Sequence, residues 1–277
     1  MVYAGVLPGD IFIGATMVEM GGERWGMVDK NFMVNHARDE AHVLSILIHE
    51  GFHARQIRLH GGTGFQQIRG AEGERPQIYY ILEVAALLEA WNSEGAARLS
   101  AINDALYFRA ARRELVSSAV PGLENSFEIG EGLVIYTEMK LAMSEAERKN
   151  YIASWFEAEF INKDSEQLTV SWHWGYRSGA LYALLLDYAT EGSWRLGRIA
   201  YQTTDLARLL REVLAITQPT TPDDFERYRY DEVVGVVRWR IEENQRRTEA
   251  AIAVTLWWKT TFLSLKALLF VSGGGWM

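Results

Sequence analysis

From Asp39 onward, apolar and polar positions alternate with helical spacing along most of the chain, interrupted at intervals by glycine or proline. The first helix is the best marked: Asp39 suits the N-cap, apolar residues crowd Val43–Ile48, and Gly61-Gly62 supplies a stop, which predicts a helix over 39–60. After a glycine-rich loop over 61–73, Pro76–Trp91 and Gly95–Ser118 predict a helical hairpin over 76–118. Its second arm sets Leu99, Ile102, Leu106 and Ala110 on one side and several arginines elsewhere. Pro121-Gly122 breaks the chain before a helix over 125–143, and Ser144-Glu-Ala-Glu resembles a capping box opening another over 144–160. A strongly apolar helix over 179–188 and two more, over 206–216 and 223–247, follow. Residues 1–35 differ: glycines and β-formers predict a β-rich edge, with Glu23–Asp29 as one or two short strands. The expected fold is a single mainly α domain with a small β-element (α+β), helical again over 179–271.

Composition narrows the function classes. At 277 residues and 48% hydrophobic, the chain can bury a substantial core. Its net charge of −8 makes the electrostatic term of nucleic-acid binding repulsive on average, and the nearest basic run, Arg238–Arg247, is interrupted by Glu242 and Glu243 and reads as a solvated helix face. The absence of cysteine excludes disulfides, thiolate metal sites and cysteine nucleophiles together. Met1–Asp10 lack the basic stretch and apolar run of a secretory signal, so the chain as it stands reads as cytoplasmic, or as extracytoplasmic if a signal precedes it. The apolar stretch 250–271 carries Lys259 and Lys266, which argues against a membrane span and for a buried or interface-forming segment, such as a homo-oligomer contact.

The chemistry lies on the first helix. His49-Glu50-Gly51-Phe52-His53 fits H-E-x-x-H, in which two imidazoles four residues apart project from one face and share a metal. Zinc lowers the pKa of a coordinated water to about 7, and Glu50, between the histidines, is placed to take its proton as the water attacks a carbonyl. With six histidines in the chain, the pattern arises by chance on the order of one time in a hundred. His42 and His60 share this face but lie seven residues away, about 10 Å along a helix, too far for a common coordination shell.

A catalytic zinc needs a third protein ligand. The metzincin extension would put Gly at 56 and His at 59, where this chain has Gln56 and Leu59. The remaining arrangement is a glutamate from a second helix. Gly130-Glu131-Gly132-Leu133-Val134, followed by Tyr136, resembles the ligand-bearing segment of zinc aminopeptidases in the gluzincin group, which also holds the thermolysin-like peptidases. The resemblance implies Glu131 as the third ligand, although Gly130 stands where those enzymes have Asn and the stretch from His53 to Glu131 is much longer, as an inserted hairpin over 76–118 would make it. Glu128, one turn earlier, competes for the role, and Glu138, two turns later, reads as a solvent-facing or supporting carboxylate. Tyr176-Arg-Ser-Gly179 is similar to the segment whose tyrosine stabilises the oxyanion in that group; His173 is the alternative donor. An aminopeptidase would need an acidic anchor for the substrate amine; the hairpin glutamates Glu83 and Glu89 are available as acids, and no role is assigned to them. The expected function is a zinc metallopeptidase acting on a peptide or protein substrate; the alternative is a catalytically silent zinc-binding or scaffolding protein.

Overall fold

A computed structural model of the chain describes residues 16–29, 31, 35, 39–60, 71, 73–162, 175–195 and 204–272. Most of them are helical. Thr16–Met20 (β1) and Glu23–Met27 (β2) pair as an antiparallel hairpin with Val18 opposite Trp25. Its two-residue turn, Gly21-Gly22, has φ of +63° and +77°, the left-handed backbone that twisted hairpin turns demand and that glycine adopts without a Cβ penalty. The predicted strand at Glu23 is therefore present, while residues 1–15 of the expected β-edge and the loop over 61–70 lie outside the described residues.

The first helix, Glu40–His60 (α1), starts as expected, with the His42 amide donating to Asp39 Oδ1 at 2.8 Å. Glu74–Asn92 (α2) and Gly95–Arg113 (α3) form the hairpin, joined by Ser93-Glu94. Tyr80, Ile81, Leu82, Val84 and Leu87 of α2 are fully enclosed, so this helix is the centre of the core, packed by α3 and two later helices. The expected apolar stripe on α3 holds in part: Ile102 and Leu106 are buried, Leu99 and Ala110 are exposed, and Arg109 and Arg112 are buried as well. Three glutamates on other helices meet these guanidiniums, and a paired charge tolerates burial where an unpaired one does not.

Pro121-Gly122 does not break the chain: Pro121 occupies the first turn of a helix, where its missing N–H costs nothing. The run continues from Val120–Phe127 (α4) through a π-helical turn, Glu128–Gly132, into Leu133–Ala142 (α5). Ser144 and Glu147 form the expected capping box on Glu145–Trp155 (α6), with Glu147 N donating to Ser144 Oγ at 3.3 Å and Ser144 N donating to Glu147 Oε2 at 2.7 Å. Tyr176–Thr190 (α7), nearly all apolar on its inner turns, packs on α2, α5 and the π-turn. Leu206–Val213 (α8) and Tyr230–Ser272 (α9) follow.

The last helix runs 43 residues without the predicted end near Arg247. Its residues 244–257 are exposed, including Ile252, Val254, Leu256 and Trp257, so of the two expectations for the apolar tail, buried or interface-forming, this part does not meet the first. Arg240, expected on a solvated face, is buried. No helix among the described residues is long and apolar enough to cross a membrane. Away from the core, α1 packs between the hairpin of strands and α5, which brings its histidine face to the π-turn side.

Candidate metal centre

Three elements deliver the site. Helix α1 supplies His49, Glu50 and His53; the π-turn supplies Glu131; the first turn of α7 supplies Tyr176. Two glycine contacts set the spacing of the backbones. A Cβ on Gly26 of β2 would lie 2.4 Å from the Glu50 carbonyl oxygen, so the strand rests directly on the helix at the H-E-x-x-H segment. A Cβ on Gly132 would lie 2.6 Å from both the Gly175 oxygen and Gly179 Cα, and one on Gly179 would lie 2.7 Å from the Glu128 oxygen. Bare backbone at these positions lets α7 approach the π-turn closely enough for Tyr176 to reach Glu131.

The imidazoles converge on Glu131. His49 Nε2 stands 3.5 Å from Glu131 Oε2 and His53 Nε2 3.6 Å from Oε1, and the three donor atoms all lie within 4.8 Å of one another. Zinc bonds of 2.0–2.2 Å in a tetrahedron place neighbouring donors about 3.4 Å apart, so the two imidazole–Glu131 separations suit a shared ion and exceed ordinary N–H···O distances. Glu131 Oε2 is buried with no donor at ordinary hydrogen-bond distance, His49 Nε2 standing 3.5 Å from it, and an acceptor so placed is of the kind a cation satisfies. Two histidines and a glutamate are moreover a donor set of catalytic zinc. The residues present fit such an ion.

The ring nitrogens facing away are also engaged. His49 Nδ1 lies 3.4 Å from Glu138 Oε2, and His53 Nδ1 lies 3.2 Å from Gln56 Oε1. An acceptor at Nδ1 fixes the ring orientation and turns the Nε2 lone pair toward the site. Glu138 is buried, which decides between its two expected roles in favour of support. In the sequence Gln56 stands out only as a residue that is not glycine; its place three after His53 puts it on the same helix face, and its supporting contact is seen only in the structure.

Electrostatics follow from three carboxylates packed around two imidazoles. Burial disfavours a charged His49, but Glu131 and Glu138 outweigh it and push the imidazole up to about 9. Burial likewise opposes the Glu131 carboxylate, yet His49 and His53 hold it down to about 2. Glu50 is raised, first by burial and further by Glu131, against the pull of both histidines. Burial and the Glu131 charge raise the Tyr176 phenol well above its ordinary range, keeping it a proton donor.

Glu128 is occupied elsewhere. It receives Arg109 Nη2 at 2.7 Å and Ser178 Oγ at 2.7 Å in a buried network that also joins Arg109 and Arg112 to Glu83, at 2.8 and 2.5 Å, and Arg112 to Glu124. Burial would push Glu83 up, but Arg112 and Arg109 hold it below its ordinary range. Fully enclosed and paired, Glu83 has no free oxygen for a substrate amine, and Glu89 sits at the exposed end of α2 with Arg227 at 3.0 Å. The wider π-turn separates Glu128 from Glu131 around the helix more than α-helical spacing would, so one faces the arginines and the other the imidazoles; such turns recur at functional sites. His173 and the side chain of His60 lie outside the described residues.

Comparison of the chain with protein-family models, with curated proteins and with solved structures finds no match.

Proposed function

We propose that the chain is a zinc-dependent hydrolase of gluzincin type, a metallopeptidase on a zincin-like catalytic domain in which α2 and α3 form an inserted hairpin. One observation carries the reading: two imidazoles, each already held at Nδ1, turn Nε2 toward the two oxygens of one buried carboxylate at separations suited to a shared cation. His49, His53 and Glu131 would hold the ion. When bound, zinc polarises the scissile carbonyl and acidifies water to a pKa of about 7.

The chain's own residues account for the proton movements. Glu50, its proton affinity raised by burial, takes the proton from the attacking water and returns it to the leaving amine. The phenol of Tyr176, which stays protonated, donates to the oxygen that gains charge as the carbonyl is attacked. Strand β2 lies against Glu50, and an extended peptide laid along a strand there would gain backbone hydrogen bonds beside the site.

The same donor set also suits ferrous iron. Zinc is preferred because Glu50, between the two histidines, supplies the base that hydrolysis needs. Substituting Glu50→Gln should leave zinc content unchanged, measured by elemental analysis, and reduce hydrolysis of a quenched fluorogenic peptide library by about 10²–10⁴-fold. Retained turnover in that variant refutes the assigned base.

A further inference from the structure

The amide of Gln56 sits between the two ligand-bearing elements. Its Oε1 faces His53 Nδ1 at 3.2 Å, and its Nε2 donates to the main-chain carbonyl of Ile129, inside the π-turn that carries Glu131. The side chain is 3% exposed, so neither end is satisfied by solvent.

Chemistry fixes the direction of every bond in this relay. A carbonyl only accepts, so the NH₂ end of Gln56 must face Ile129. The amide oxygen then faces the ring, and an oxygen only accepts, so His53 Nδ1 must carry a hydrogen. In the neutral ring that leaves Nε2 bare, as an acceptor directed at the acceptor oxygen Glu131 Oε1, 3.6 Å away. Two lone pairs facing each other across that gap repel unless a metal ion, or a second proton on the ring, lies between them. The relay thus sets the tautomer needed for metal binding and ties the ring that presents it to the turn that presents the opposing carboxylate.

We infer that Gln56 is a positioning residue for the metal centre, locking His53 in the Nδ1–H tautomer and holding α1 in register with the π-turn. The inference rests on the metal reading above. It differs from the role of Glu138 at His49: a carboxylate there binds one ring, whereas the Gln56 amide bonds both a ring and the second ligand element and adds no charge.

The test compares wild type with Gln56→Met, which fills similar volume with neither hydrogen bond, and Gln56→Glu, which keeps an acceptor for the ring but loses the donor to Ile129. Zinc affinity is measured by competition with a chromophoric chelator, and the His53 tautomer by ring ¹⁵N–¹H correlation spectra of the metal-free protein. Gln56→Met should lose about 10–100-fold in zinc affinity and show His53 as a mixture of tautomers; Gln56→Glu should recover the single tautomer and only part of the affinity. Zinc affinity in Gln56→Met within twofold of wild type, or an unchanged single tautomer, overturns the inference. Wild type that binds no zinc overturns the metal reading instead, and the tautomer measurement still decides whether Gln56 sets the ring.

Discussion

Gly132→Ala tests the contact that sets the site's spacing. The added Cβ would sit 2.6 Å from the Gly175 carbonyl oxygen, 2.6 Å from Gly179 Cα and 2.9 Å from the Gly179 carbonyl carbon. Ordinary contact begins near 3.4 Å, so the overlap is about 0.8 Å, and all three partners are backbone. No side chain can rotate aside, and α7 must move off the π-turn. Overpacking of this kind costs about 1–3 kcal/mol, against about 1 kcal/mol gained from alanine's helix propensity, which leaves a net loss of up to about 2 kcal/mol. The displacement also draws Tyr176 away from Glu131, so hydrolysis should fall along with stability. Gly235→Ala is the control, because a Cβ at this exposed position meets nothing within 4 Å and the substitution should stabilise the helix by up to about 1 kcal/mol. Urea unfolding of metal-free protein reads both changes as shifted midpoints at constant m. If Gly132→Ala is as stable as Gly235→Ala, the close approach of α7 and the π-turn is wrong.

Two further outcomes follow from the charges. His49, raised to about 9 from 6.5, stabilises the metal-free protein fully below pH 6.5 and loses that contribution as pH rises through 9; because zinc must displace its proton, chelator competition should show affinity rising about tenfold per pH unit across that window, and a flat profile contradicts the assignment. Arg109→Met strips Glu83 and Glu128 of a shared buried partner and should destabilise by about 3–5 kcal/mol in the same unfolding assay; a loss below about 1 kcal/mol would mean those carboxylates are not confined as described.

Much of this was legible in the sequence because the signals are local. The H-E-x-x-H spacing, the Asp39 cap and the Ser144 box each depend on residues within about a turn of one another, the hairpin on the apolar period within each arm, and the structure places them as read. The resemblance around Gly130–Val134 marked Glu131, and the structure brings that residue to the imidazoles. What escaped depends on partners far apart in the chain. Arg109 and Arg112 read as a polar face because the acids that bury them are on other helices. The π-turn is invisible to a 3.6-residue period, and without it Glu128 and Glu131 share a face and cannot be separated. Gln56 reads as an ordinary helical glutamine until Ile129 is seen opposite it.

If His49, His53 and Glu131 bind one ion together, removing the carboxylate must release it. Elemental analysis of protein purified with zinc and then desalted should find about one zinc per chain in wild type and in Glu128→Gln, and loss of tightly held zinc in Glu131→Ala. Stoichiometric zinc retained by Glu131→Ala, or none in wild type, refutes the shared site.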